Sequence, residues 1–130
     1  MDNEEQQIYM EQLMDNYKNP QNIGELKEYT LFSHFKNPSC GDTFDLYIKL
    51  DKENKKIIDV KFSGDGCAIS TASMSLFSQE LIGMDFEKSK TLTDKFIYKM
   101  LGVRISPGRT NCAMLSLNAY KNSLKEFSKQ

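Results

Sequence analysis

The sequence predicts an α+β fold, in which helices pack on one face of a small antiparallel sheet of about three strands. Short segments typical of strands occupy the first half of the 130-residue chain, and segments with helical spacing of apolar residues occupy the second half. No repeat or low-complexity segment interrupts this order. The length and the 39% hydrophobic content indicate a single domain over residues 1–130 with its own core, and we expect residues 1–7 to be flexible.

The first half of the chain is predicted to contain one helix and three strands. Ile8 to Lys18 has apolar residues at nearly helical spacing, and the helix should end at Asn19-Pro20. Tyr29 to Lys36 is a strand candidate whose inward and outward positions the pattern does not define. Regular alternation of apolar and polar residues predicts two further strands, Phe44 to Leu50 and Lys56 to Phe62, which complete an antiparallel meander.

Two of these elements have a predicted buried face. The apolar positions of the first helix that recur at nearly helical spacing are Ile8, Leu13 and Tyr17. The residues of the third strand that should face one way are Ile58, Val60 and Phe62. Ile57 should then point to the opposite side.

The second half of the chain is predicted to be helical. Cys67 to Ile82 contains neither proline nor glycine, and its many small residues predict that another backbone packs closely against it. Phe86 to Lys90 and Thr93 to Leu101 are predicted to form two shorter helices. After a loop, Cys112 to Phe127 carries a single apolar stripe, which indicates the last helix.

Charge and composition exclude several classes of partner. The formal net charge is −1 and the basic residues are spread along the chain, so we expect neither nucleic acid nor a membrane surface as a partner. No apolar run approaches membrane-spanning length, and the acidic N-terminus lacks the apolar core of a secretory signal. These features predict a cytoplasmic protein whose three cysteines stay reduced.

The three cysteines lie where predicted strands end and predicted helices begin. Cys40 lies between the first two strands, Cys67 follows Gly64-Asp65-Gly66, and Cys112 begins the last helix. In a small α+β domain, such positions can meet at one edge of the sheet. The free N–H groups of a helix N-terminus also lower the pKa of a thiol, which makes Cys67 a better metal ligand or nucleophile than an average cysteine.

Asp42 belongs to the same candidate site. Gly41 allows a tight turn, so the sulfur of Cys40 and the carboxylate of Asp42 can converge. Three thiolates and one carboxylate suit tetrahedral zinc or an iron–sulfur cluster. A plainer interpretation is that the cysteines are small buried apolar residues, Asp42 a turn residue and Arg109 a solvated loop cation. His34, the only histidine, is expected on a strand face and not as a ligand.

Three motifs resemble those of the IscU/NifU/SufU family of iron–sulfur cluster assembly proteins. They are Asn-Pro-Ser-Cys-Gly-Asp at 37–42, Gly-Asp-Gly-Cys-Ala-Ile-Ser at 64–70 and Arg-Thr-Asn-Cys-Ala-Met-Leu at 109–115. They occur in the family's order, and the resemblance covers most of the chain. It implies cysteines gathered at one end of the sheet. It also implies a pyridoxal-phosphate-dependent cysteine desulfurase as partner, which passes on sulfur as a persulfide, and apo-proteins or a scaffold as recipients.

The resemblance is closest to the SufU branch. In SufU-like proteins the second cysteine follows Gly-x-Gly, as Cys67 does, whereas the IscU branch would place it at the position of Asp65. Arg109, three residues before the last cysteine, also matches SufU, while Asn111 matches neither branch. The segment between Cys67 and Cys112 is shorter than in typical SufU proteins, which carry an insertion there.

The donor set and the resemblance lead to three functional hypotheses. In the first, Zn²⁺ is held by Cys40, Asp42, Cys67 and Cys112, and Cys40 leaves the metal to accept a persulfide that Arg109 stabilises. The chain would then be a zinc-dependent sulfurtransferase. In the second, the three cysteines hold a [2Fe–2S] cluster on a scaffold that transfers it to apo-proteins. In the third, zinc is structural in an interaction module that unfolds without metal.

Overall fold

The computed structural model describes residues 3–38 and 41–129, and it confirms the predicted α+β fold. In this part of the chain, no helix has the length and apolar character that crossing a bilayer requires. A single 3₁₀ turn, Pro107–Arg109, precedes the last helix. The elements in chain order are α1 (Asn3–Lys18), β1 (Leu31–Lys36), β2 (Thr43–Leu50), β3 (Ile57–Asp65), α2 (Ala68–Leu81), α3 (Phe86–Ser89), α4 (Asp94–Leu101) and α5 (Thr110–Ser128).

The three strands form the predicted antiparallel meander in the order β1-β2-β3. β2 is the central strand, and its residues alternate between buried and half-buried as its sequence pattern predicts. β1 begins at Leu31, two residues later than expected, and pairs Leu31 with Ile48 of β2. The buried residues of the sheet and those of α2 and α5 form one continuous core, so the two longest helices of the second half cover the same face.

The predicted orientation of the first two residues of β3 is wrong. Ile57 is fully buried and Ile58 is 49% exposed, the reverse of the prediction. The pairing with β2 is irregular at this point, because Leu50 pairs with Ile57 while the adjacent Lys49 pairs with Asp59. Ile58 is therefore the extra residue of a bulge, which shifts the alternation by one position.

Helix α1 is longer than predicted, and the predicted apolar face is wrong. It begins at Asn3 instead of Ile8. Leu13 is buried, but Ile8 and Tyr17 are exposed. The flexibility expected of residues 1–7 stays a prediction.

Polar contacts attach α1 and the loop after it to the rest of the domain. The Asn16 side-chain oxygen accepts hydrogen bonds from the Ser75 hydroxyl (2.6 Å) and the Gln79 amide (2.9 Å) of α2. The segment 20–24 is a loop, as predicted, and its Gly24 N–H donates to the Phe62 carbonyl oxygen (2.9 Å). The loop thereby pairs with part of the outer edge of β3, which neither of the other described strands covers.

The helices of the second half lie close to their predicted positions. α2 ends just before Gly83, which has the positive φ of 91° that favours glycine after a helix. Thr93 is the N-cap residue of α4, although its side chain makes no capping hydrogen bond. α5 begins at Thr110, two residues earlier than predicted, so Cys112 lies within its first turn.

Gly64 lies inside β3, where a side chain would not fit. Its φ is 141°, and a Cβ atom at this position would overlap the Thr43 carbonyl oxygen and stand 2.8 Å from the Cα of Phe44. Gly24 has almost the same φ, 137°, but has open space around it. Comparing substitutions at the two glycines therefore distinguishes the cost of backbone strain from the cost of steric overlap.

We expect Gly64→Ala to lower the free energy of unfolding more than Gly24→Ala does. Both substitutions cost about 1–3 kcal/mol because alanine disfavours this φ. Gly64→Ala adds about 1–3 kcal/mol because the new methyl group overlaps β2. Urea unfolding followed by circular dichroism measures both losses. Equal losses would mean that β2 moves away from the methyl group at negligible cost.

Candidate metal centre

Three side chains that can bind a metal ion, from three separate parts of the chain, meet at one end of the sheet. They are Asp42, directly before β2, Cys67, directly before α2, and Cys112, in the first turn of α5. One carboxylate oxygen and the two Sγ atoms all lie within 4.8 Å of one another. Asp42 and Cys112 are buried, and Cys67 is half-buried. These are three of the four ligands that the sequence predicted.

The loop between β1 and β2 is closed by two backbone hydrogen bonds, which place Asp42. The Asn37 N–H donates to the Asp42 carbonyl oxygen (2.7 Å), and the Gly41 N–H donates to the Asn37 carbonyl oxygen (2.9 Å). Gly41 has a φ of 75°, which glycine adopts without strain. The next residue, Thr43, pairs with Asp65 at the end of β3. Asp42 therefore lies beside the turn from β3 into α2.

Cys67 is the N-cap residue of α2, which begins at Ala68, one residue later than predicted. Its Sγ accepts a hydrogen bond from the Ser70 N–H (3.5 Å), which satisfies one of the free donors of the first turn. The residue before it, Gly66, packs against the ring of Phe44, and a Cβ there would stand 2.6 Å from a ring carbon. Gly66 thus lets the chain pass close to the sheet just before Cys67.

Cys112 reaches the site because α5 packs closely against α2. The Ser73 hydroxyl of α2 donates to the Ala113 carbonyl oxygen (2.8 Å) and also lies 2.8 Å from the Ser116 hydroxyl. Ser73, Ala113 and Ser116 are all fully buried. The small residues of α2 thus admit a second backbone, as the sequence predicted, and that backbone is α5.

Ser70 belongs to the site, although its sequence context indicated only one of the small residues of α2. Its hydroxyl donates to Oδ2 of Asp42 (2.8 Å) and lies 3.4 Å from Sγ of Cys67. The signal available in the sequence was its position three residues after an N-cap residue. From this position a side chain can reach back to the cap.

The surroundings of Cys67 favour its thiolate. Burial raises the pKa of the thiol, but the nearby Ser70, whose N–H donates to Sγ, and the side chain of Cys112 lower it, and the net pKa lies below the usual value. A lowered thiol pKa is the condition for a good metal ligand or nucleophile at neutral pH. The prediction from helix position agrees in direction, and hydrogen bonds to one neighbouring residue account for much of the effect.

The donor set suits a divalent metal. In a tetrahedral site with bonds of about 2.0–2.3 Å, donor atoms stand about 3.3–3.8 Å apart. The three donors, within 4.8 Å of one another, would reach this spacing by small movements. Ionised carboxylate and thiolate groups this close repel each other, and a cation offsets that repulsion. Two sulfurs and one oxygen suit zinc, and the sulfurs also suit iron.

The other predicted site residues have different surroundings. Cys40, the fourth predicted ligand, lies outside the described residues. Arg109 is exposed in the turn before α5, and its role stays a prediction. His34 is exposed on β1, and its Nδ1 bonds to the Asp45 carboxylate of β2. It is therefore a strand-face histidine, as predicted.

Comparisons with known proteins agree with the resemblance seen in the motifs. Residues 8–130 match the family model described as NifU-like N terminal domain. An iron–sulfur cluster assembly enzyme named IscU from Drosophila melanogaster is 36% identical over 123 residues, which span 92% of this chain and 78% of that protein. A zinc-dependent sulfurtransferase named SufU from Bacillus subtilis is 34% identical over an alignment of 134 positions with gaps, which spans 90% of this chain and 89% of that protein.

A solved structure supports the same relationship at the level of the fold. It comes from Fervidobacterium islandicum and is named as a candidate iron–sulfur cluster assembly scaffold for the SUF system. Its TM-score is 0.73 at 30% identity, and the match covers 91% of this chain and 97% of the other. Relatives named IscU and SufU are thus similar to nearly the same degree, so identity alone does not assign the chain to one branch.

In the metal-free protein, we expect iodoacetamide to alkylate Cys67 at lower pH than in the unfolded chain. The thiolate is the reacting form, and the hydrogen bonds that lower its pKa populate it at lower pH. Mass spectrometry of the Cys67 peptide gives the rates.

Denatured samples provide the control for this measurement. In guanidinium chloride, the wild-type profile should move to higher pH, because the hydrogen bonds are absent. A folded wild-type profile that coincides with the denatured one would contradict the lowered pKa.

Proposed function

Because the chain belongs to the family of NifU-like N-terminal domains, which includes iron–sulfur cluster assembly proteins, we propose that it is a zinc-bound sulfur acceptor. Its donor would be a pyridoxal-phosphate-dependent cysteine desulfurase. The observation that carries the proposal is the convergence of Asp42, Cys67 and Cys112 within 4.8 Å. The Gly-x-Gly that precedes Cys67 and the arginine at position 109 further support a SufU-like role.

The residues that would hold the zinc are Cys40, Asp42, Cys67 and Cys112. Zinc, when bound, keeps thiolates deprotonated at neutral pH. Cys67 and Cys112 lie at the starts of two packed helices, so their positions are set by the core. Asp42 supplies a harder donor than a fourth cysteine would, which favours ligand exchange at the site.

Cys40 is the proposed acceptor of sulfur. Its thiolate would attack the outer sulfur of the persulfide on the desulfurase. The new S–S bond forms on Cys40 as the S–S bond of the donor breaks, and the desulfurase cysteine leaves as a thiolate. The exchange needs no external oxidant or reductant. Arg109, three residues before Cys112 in the chain, would stabilise the anionic sulfur through its charge.

The second candidate function is a scaffold for a [2Fe–2S] cluster, held by Cys40, Cys67 and Cys112. Thiolates are the usual ligands of such clusters, and assembly is the role for which the IscU relatives are named. Recipients would be apo-proteins that need a cluster, whereas a sulfur acceptor would serve a downstream scaffold. The two functions differ in the metal that the purified protein carries.

A purely structural zinc has less support. The core is built from fully buried aromatic and aliphatic side chains, such as Phe62, Phe77 and Tyr120, that are not part of the donor set. A core of this size folds without a metal. We therefore expect chelation to empty the site without unfolding the domain.

Metal and acid-labile sulfide analysis after purification without oxygen tests the proposal. We expect about one zinc per chain, no sulfide and no visible absorbance, because a single four-ligand site binds one ion. Iron and sulfide in equal amounts, with visible charge-transfer bands, would favour the scaffold. A protein with no bound metal would overturn both functions.

Substituting Cys40 with serine is expected to reduce the stimulation of the desulfurase to the rate of the enzyme alone. Serine cannot accept a sulfur atom as a persulfide, so turnover should lose its acceptor. Desulfurase activity with each variant measures the loss, and mass spectrometry should find one added sulfur atom on the Cys40 peptide of the wild-type protein. Ser39→Ala, next to the cysteine, is the control and should stimulate normally. Undiminished stimulation by Cys40→Ser would remove the acceptor role from Cys40.

A further inference from the structure

Ser70 contacts two of the three donors that meet at the site. It is fully buried in the first turn of α2. Its hydroxyl donates to Oδ2 of Asp42 (2.8 Å), and both its hydroxyl and its backbone N–H approach Sγ of Cys67, at 3.4 and 3.5 Å. Its hydroxyl is therefore placed to orient a ligand that comes from a different element.

The hydroxyl has one hydrogen and three acceptors within reach. These are Oδ2 of Asp42 at 2.8 Å, the Cys67 carbonyl oxygen at 3.1 Å and Sγ of Cys67 at 3.4 Å. The carboxylate is both the nearest and the charged acceptor, and hydrogen bonds to charged oxygen are the stronger ones. The hydrogen therefore goes to Asp42.

The hydroxyl also has little freedom to turn away. The Ser70 N–H is held by the cap at Cys67, which fixes the backbone that carries the side chain. The side chain then lies directly under Gly66, where an added Cβ would overlap the Ser70 hydroxyl. Because these contacts restrict the Ser70 hydroxyl, its hydrogen bond also restricts the orientation of the Asp42 carboxylate.

We propose that Ser70 is a positioning residue, whose hydroxyl fixes the Asp42 carboxylate in the orientation in which it meets Cys67 and Cys112 around zinc. The proposal rests on the proposed function. Without this bond, the carboxylate would lose a partner that holds its rotamer. Zinc binding would then have to restrict the Asp42 side chain itself, which costs conformational entropy. Loss of such an outer hydrogen bond lowers metal affinity about 10- to 100-fold.

Ser70→Ala tests the proposal through zinc affinity, which needs no activity assay. Competition between the protein and a chromophoric chelator for Zn²⁺ gives the dissociation constant. We expect Ser70→Ala to bind zinc about 10- to 100-fold more weakly than wild-type protein. Alanine favours helices more than serine does, so α2 should form. Circular dichroism of the zinc-free variant checks the fold.

Ser73→Ala is the matched control. Ser73 lies three residues further along α2 and is equally buried, but its hydroxyl bonds to the Ala113 carbonyl oxygen and the Ser116 hydroxyl. We expect its zinc affinity to stay within about twofold of the wild-type value, well below the loss from a lost outer hydrogen bond. Equal losses in both variants would mean that the helix packing matters, and would overturn the specific role of Ser70.

A double-mutant cycle with Asp42→Ala identifies the residue through which Ser70 acts. Once the carboxylate is gone, adding Ser70→Ala should change zinc affinity less than about twofold, because coupled residues are not additive. A loss of about tenfold in that background would show that Ser70 acts through Cys67, and would overturn the proposal.

The wild-type measurement separates this inference from the proposed function. If wild-type protein binds no zinc, both are wrong. If wild-type protein binds zinc and Ser70→Ala binds it equally well, the proposed function stands and the positioning role of Ser70 is wrong.

Discussion

The close approach of α2 to α5 is the contact on which the candidate metal centre depends. A buried hydrogen bond from the Ser73 hydroxyl to the Ala113 carbonyl oxygen joins the two helices directly. Because both helices begin at the same end of the sheet, this contact brings the cysteines of their first turns together. A bulky residue at position 73 would separate the helices and so move Cys67 away from Cys112.

The sheet supplies the third donor by a different route. Asp42 lies directly before the central strand. The pairing of Thr43 with Asp65 fixes the position of Asp42 along the strand direction relative to the end of β3. The site thus combines two sulfurs held by helix packing with one oxygen held by strand register. Ser70 connects the two parts, since it belongs to α2 and its hydroxyl donates to Asp42. A site assembled in this way changes its metal affinity when either the distance between the two helices or the strand register changes.

The outcome of individual predictions shows which signals in the sequence were reliable. Alternation predicted the buried face of β2 correctly, because every residue of that strand pairs in regular register up to Lys49. The same reasoning failed for Ile57 and Ile58, since a bulge reverses the alternation and leaves no mark in the apolar pattern. It also failed for α1, because this helix contacts α2 partly through the buried Asn16, and apolar periodicity does not detect polar contacts.

The sequence alone determined the elements, the class of fold and the residue types that could form a metal site. Helix starts, glycine turns and alternation are local, and they placed Asp42, Cys67 and Cys112 at the ends of elements. Only the tertiary structure decided that these donors meet within 4.8 Å and that Ser70 bonds to Asp42. These distances depend on helix packing and strand register between residues far apart in the chain, and no local pattern encodes them.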